Sequence, residues 1–166
     1  LDPTMLLDAG DYQKALPLKP FMSKGKVFYY VLDRNEQINA LLKEVSQVLD
    51  KELYGISDIQ KGNEPLISIV EWLTDIRDAE FVITDSFHGM VFSIIFHKPF
   101  LVAVNKDRGA DRFTNLLSML GLSDRMIVEG ANVGKKIEAN IVWSIVDDKI
   151  IQLKMKSMSF LKQNLA

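Results

Sequence analysis

Cysteine is absent from the 166 residues. That excludes a disulfide framework, a thiolate zinc site and a cysteine nucleophile. Histidine occurs twice, and no compact acidic cluster accompanies either copy, so the residues for a dedicated metal site are lacking. An excess of one charge is missing as well. Twenty Lys and Arg against 22 Asp and Glu leave a net charge of −2, so total charge draws the chain neither to nucleic acid nor to an anionic membrane. No apolar run approaches the ~20 residues of a membrane-spanning helix, and no basic-then-apolar leader opens the chain. Neither G-x-S-x-G nor G-x-G-x-x-G occurs, which weakens hydrolase and dinucleotide readings. What remains is ordinary globular composition, 48% hydrophobic and 25% charged, at a length of about one domain. The chain opens Leu1-Asp2-Pro3-Thr4 without Met, so its start is either processed or internal to a longer protein.

Of the five prolines, Pro3, Pro17 and Pro20 lie in the first 26 residues, together with Gly10 and Gly25. Residues 1–26 therefore read as an irregular lead-in or linker, and 27–166 as the domain proper. An alternation follows. Val27 to Leu32, Leu53 to Ile56, Phe81 to Thr84, Phe100 to Val104 and Met126 to Val128 read as short strands. Between them, Asn35 to Asp50, Ile69 to Ala79, Met90 to Phe96 and Phe113 to Leu120 carry helical patterns, the last capped by Gly121. Ile137 onward is mostly helical, with a possible break near Asp147-Asp148. Strand-then-helix repetition with continuous apolar strands predicts an α/β fold: a three-layer α/β/α, Rossmann-like domain with a mostly parallel sheet.

Open parallel sheets bind ligands beyond the carboxyl ends of their strands. Three loops should share that edge: Asp33 to Asn35, Asp85 to Gly89, and Asn105 to Arg112. In the second, Ser86 or Asp85 can cap the following helix. The amides near Phe87, His88 and Gly89 then point outward at the positive end of the helix dipole, an arrangement that holds phosphate or carboxylate. His88 adds a donor or a proton carrier, and Gly89 lets a ligand approach the backbone. The plainer reading is a cap followed by a hydrogen-bonded turn histidine. In the third loop, Lys106, Arg108 and Arg112 can bind an anion; the plainer reading is a solvated loop neutralised by Asp107 and Asp111. Elsewhere, His97 reads as a helix C-cap or surface residue. Asp75, Arg77 and Asp78 read as a solvated helix face. Tyr29, Tyr30 and Trp72 read as core, and Gly130 to Gly134 as a turn.

The residues Glu71-Trp72-Leu73, Ala79 to Gly89 with its Asp-Ser-Phe-His-Gly, Phe92 to Phe96, Lys98-Pro99-Phe100 and Asn105 to Phe113 resemble the polysaccharide pyruvyl transferase family in its C-terminal half. Leu1 to Thr4 and Ser157 to Leu161 are similar to it too, so the resemblance covers most of the chain. It implies transfer of a pyruvyl group from phosphoenolpyruvate to a sugar hydroxyl pair, forming a ketal on a bacterial cell-surface polysaccharide. It also implies a two-domain fold like that of B-type glycosyltransferases, with the active site between Rossmann-like halves and the N-terminal half preceding residue 1. His88 matches the motif histidine, placed as the acid for the enol carbon or as a phosphate contact. Some members carry Arg-Leu before that histidine where this chain has Ser86-Phe87, so Arg108 or Arg112 is the candidate replacement. The implied partners are phosphoenolpyruvate, a saccharide or lipid-linked glycan, and the N-terminal domain. No cofactor is implied, and the setting is cytoplasmic, with contact to the inner membrane face through the acceptor. Two other readings use the same edge: a glycosyltransferase with a nucleotide-sugar donor, and a domain that only binds a glycan or partner.

Overall fold

The computed structural model describes residues 1–16, 22–57, 67–104, 109–128 and 130–164. Five strands, β1 (Val27–Val31), β2 (Leu53–Ser57), β3 (Phe81–Thr84), β4 (Phe100–Ala103) and β5 (Met126–Ile127), form one sheet in the order β2-β1-β3-β4-β5. Every pairing is parallel. Seven helices are described: α1 (Ala9–Ala15), α2 (Glu36–Leu49), α3 (Ile69–Asp78), α4 (Phe87–Ile95), α5 (Ala110–Leu120), α6 (Val133–Glu138) and α7 (Trp143–Asn164).

Side chains alternate across each strand, so each strand feeds two cores. Phe28, Val82, Phe100 and Val102 point to one face and pack with α3, α4, α5 and α7. Val27, Val31, Phe81, Ile83 and Leu101 point to the other and pack with α2 and α6. The result is the expected three-layer α/β/α domain. α4 is apolar nearly all round, and Gly89 to Ile94 are all buried. Its burial on every side is why it lacks the one-sided pattern of α2, whose inner face is Ile38, Leu41, Leu42 and Val45.

The strand order decides where a ligand can sit. From β1 the chain moves outward to β2, returns across β1 to β3, and then continues to β4 and β5. The direction of winding therefore reverses between β1 and β3, and at such a reversal the loops part to leave a crevice beyond the carboxyl ends.

Several expectations are corrected. Residues 1–26 are not an irregular lead-in throughout: Pro3–Leu6 form a 3₁₀ turn and Ala9–Ala15 a helix closed by an Asp8–Asp11 capping box. Met5 is buried in the main core, with Leu1, Ala9, Tyr12 and Leu16 packed beside it. α4 begins at Phe87, not Met90. Gly130 to Gly134 is not wholly a turn, because Asn132 caps α6 and Val133 and Gly134 begin it. The last helical stretch breaks before Trp143 and runs unbroken through Asp147 and Asp148. Asp75 does not lie on a solvated face: it is fully buried, on the inner side of α3 with Leu73 and Ile76. His97 is the helix-end surface residue expected, in left-handed conformation at φ 52°, with its ring stacked on Trp143 and Nε2 2.8 Å from Asp147 Oδ1.

Candidate active site

β3 ends in Thr84 and Asp85, and both side chains tie its end to β1. Thr84 Oγ1 donates to the carbonyl of Tyr30 at 2.6 Å and accepts from the amide of Ser86 at 3.0 Å. Asp85 accepts from the amides of Leu32 at 2.7 Å and Asp33 at 2.8 Å, one on each carboxylate oxygen. Asp85 is therefore the clamp across the crevice and not the helix cap. Burial pushes its carboxyl upward from the ordinary value; the two amide bonds pull against this, and the charge of Asp33 pushes with it. Tyr30 lies beside this clamp, and burial first, then Asp85, raises its phenol above the ordinary value.

Ser86 caps α4, its Oγ accepting from Gly89 N at 3.4 Å. Among the described residues the amides of Phe87 and His88 take no protein acceptor, so two N–H groups at the positive end of α4 are open to an anion. Gly89 has a packing role. It is buried, and a Cβ there would press against Thr84 Oγ1. The missing side chain lets α4 pack onto the end of β3.

His88 points outward, with 53% of its side chain exposed, and its Nε2 lies 3.8 Å from Asp2 Oδ2. Asp2 is held in place because Oδ1 accepts from Thr4 N at 3.0 Å and from Thr4 Oγ1 at 2.5 Å, leaving Oδ2 to face the imidazole. Phe87 is half-buried between two loops. Its ring meets His88 and Phe113 edge-on, both at 5.6 Å, and the Arg112 guanidinium stacks over it at 5.0 Å. α5 starts from Gly109 in left-handed conformation at φ 72°, a turn that glycine makes without strain. The structure thus brings Asp2, Asp85, Ser86, Phe87, His88 and Arg112 to one edge. Lys106 and Arg108 lie outside the described residues.

Sequence reasoning missed one participant, Asp2, and the role of another, Asp85. Spacing alone does not pair Asp2 with His88, although the opening Leu-Asp-Pro-Thr resembles the same family. The clamp role of Asp85 depends on β1 and β3 being neighbours, which no local pattern encodes. Among the described residues, no three of His, Cys, Asp or Glu converge as a metal site. A hollow of about 450 Å³ lies at the far end of α4, between Met5, Phe96, His97 and Ile150. The edge at His88 instead has the winding reversal and the open amides.

The family model for polysaccharide pyruvyl transferase matches residues 1–107. The chain belongs to the polysaccharide pyruvyl transferase family. The matched span holds Asp2, the Asp85 clamp, the Ser86 cap and His88, along with β1 to β4; Arg108 and Arg112 fall beyond it. No curated protein matches the chain. No described helix is long and apolar enough to cross a membrane.

Proposed function

We propose that this edge binds phosphoenolpyruvate and that His88 supplies the proton that turns its methylene carbon into the methyl group of a pyruvyl ketal. The observation that carries the reading is the placement of His88, inside the family match, at the open N-terminal end of α4 beside the winding reversal.

Phosphoenolpyruvate carries a phosphate and a carboxylate. The Phe87 and His88 amides suit one anionic group and Arg112 the other. An imidazolium at His88 gives its proton to the enol carbon, and positive charge develops at the adjacent carbon. A sugar hydroxyl adds there and loses its proton, phosphate leaves with the electrons of its C–O bond, and the second hydroxyl closes the ketal with loss of its own proton. The products are the ketal and inorganic phosphate. Asp2 Oδ2 faces the imidazole from 3.8 Å. Lys106 and Arg108, on the loop after β4, are further anion contacts in this proposal.

The hydroxyl protons need a base that this edge does not offer in addition to His88. On this reading a second Rossmann-like domain, N-terminal to this one, supplies that base and the other wall of the cleft, with part of residues 1–26 as the connection. The 166-residue chain alone then turns over no phosphoenolpyruvate with any acceptor. The acceptor is a saccharide or lipid-linked glycan, met on the cytoplasmic side where phosphoenolpyruvate is made.

Donor titration followed by thermal shift tests the reading. Protection by phosphoenolpyruvate, weakened in Arg112→Ala, supports it. Protection by a nucleotide-diphosphate sugar with none by phosphoenolpyruvate overturns it in favour of glycosyl transfer.

A further inference from the structure

The guanidinium of Arg112 is held by an aromatic face and, among the described residues, by no carboxylate. Its Cζ lies 5.0 Å from the centroid of the Phe87 ring. A ring face attracts the cation through its quadrupole and leaves the N–H donors unspent. An acid in the same place would hold the group and saturate it. Arg112 is therefore fixed and still free to bind an anion.

Phe87 can do this because its own ring is braced. It is half-buried and packs against the main core. Phe113 meets it edge-on at 5.6 Å and 87°, and Phe113 is buried on the inner face of α5 with Leu116 and Leu117. Contacts thus run from the core through Phe113 and Phe87 to an exposed arginine. They also join two loops. Phe87 opens α4 after β3, and Arg112 lies in the first turn of α5 after β4; these two strands are paired neighbours. Phe87 carries one of the open amides, and the ring of His88 stands 5.6 Å from its own. One residue therefore sets the arginine relative to the amides and the histidine together.

We propose that Phe87 is a positioning residue of this site: its ring holds Arg112 toward the anion bound at the start of α4, and its side chain acts on that anion only through Arg112. The identity of the anion rests on the phosphoenolpyruvate reading given above; the dependence of Arg112 on Phe87 holds for any anion the arginine binds. Without the ring, a long exposed side chain samples its rotamers, and binding must order it. Loss of the ring therefore weakens anion binding about three- to tenfold, the usual cost of immobilising one such side chain.

The test is a double-mutant cycle of Phe87→Leu and Arg112→Ala, read by calorimetric titration of the chain with phosphoenolpyruvate and, separately, with inorganic phosphate. Phe87→Leu is expected to weaken binding by that factor in the parent and to change it little once Arg112 is replaced. Phe87→Tyr keeps an aromatic face and should bind as the parent does. A thermal melt accompanies each titration, and if Phe87→Leu fails to fold, Phe87→Met takes its place in the cycle. A purely structural role for Phe87 would give the same loss in both backgrounds, and that result overturns the proposal. So does a Phe87→Tyr variant as weak as Phe87→Leu, or a parent that binds neither anion. Coupling seen with phosphate, with no binding of phosphoenolpyruvate, keeps Phe87 in its role and overturns the reading of the donor instead.

Discussion

Asp2 places Oδ2 3.8 Å from Nε2 of His88, while its Oδ1 is fixed by Thr4. One carboxylate thus does two jobs, capping the first turn of the chain and facing the exposed histidine of α4. Asn is as good a cap as Asp, so Asp2→Asn separates them. It should leave the melting temperature nearly unchanged and lower kcat of the intact enzyme roughly fivefold, the effect of about 1 kcal/mol expected for a solvent-screened charge at this range. Steady-state kinetics beside a thermal melt checks this; an unchanged kcat assigns Asp2 to the cap alone.

Asp85 joins the two strands that flank the crevice. Asp85→Ala leaves the Leu32 and Asp33 amides without their acceptor, a loss of roughly 1–3 kcal/mol when such groups stay shielded from water. Urea unfolding should show a lower midpoint of that order, and donor affinity should fall with it because the mouth of the crevice loosens. A midpoint within error of the parent would show that water replaces the clamp at no cost.

Gly89→Ala forces a Cβ against Thr84 Oγ1, the atom that holds β3 to β1. Overpacking of this kind costs roughly 1–3 kcal/mol. In a Thr84→Ala background the obstructing hydroxyl is gone, so the same change should cost clearly less. A double-mutant cycle reads the coupling; strict additivity would mean that glycine is needed there for another reason.

Asp75 is fully buried, and neither carboxylate oxygen has a hydrogen-bond partner among the described residues, because Ser23 Oγ donates to its backbone carbonyl instead. Burial pushes the carboxyl up from 3.8 to about 6, with nearby Ser23 dipoles offsetting this in part and the charges of Asp78 and Glu71 adding to it. The folded state therefore prefers protonated Asp75 more than the unfolded state does, and its ionisation removes stability as pH rises from about 4 to about 6. Asp75→Asn should stabilise the protein at pH 7 by at most about 3 kcal/mol, the shift converted at 1.36 kcal/mol per unit. The gain should vanish below pH 4. Denaturant melts at pH 4 and 7 measure it, and a pH-independent difference would contradict it.

The alternation and the shared edge were legible because strands buried on both faces are unbroken apolar runs that end abruptly in polar loops. The start of the chain was misread because Pro3 and Gly10 suggested punctuation, while Met5, Ala9, Tyr12 and Leu16 already had the helical spacing that packs them on the core. Asp75 was misread by its charged neighbours, although it falls with Trp72, Ile76 and Ala79 on the inward side of α3. The winding reversal, the clamp and the Asp2–His88 approach are relations between distant segments. Local pattern carries no record of them, and only the strand order brings them into view.

The central claim is that His88 moves a proton in pyruvyl transfer from phosphoenolpyruvate. The most direct measurement is kcat of His88→Ala in the intact enzyme with a glycan acceptor, with phosphoenolpyruvate binding measured in parallel. The account predicts a loss of at least about a hundredfold in kcat, the usual scale for an acid–base residue, with the fold retained. A kcat equal to that of the parent enzyme would contradict it.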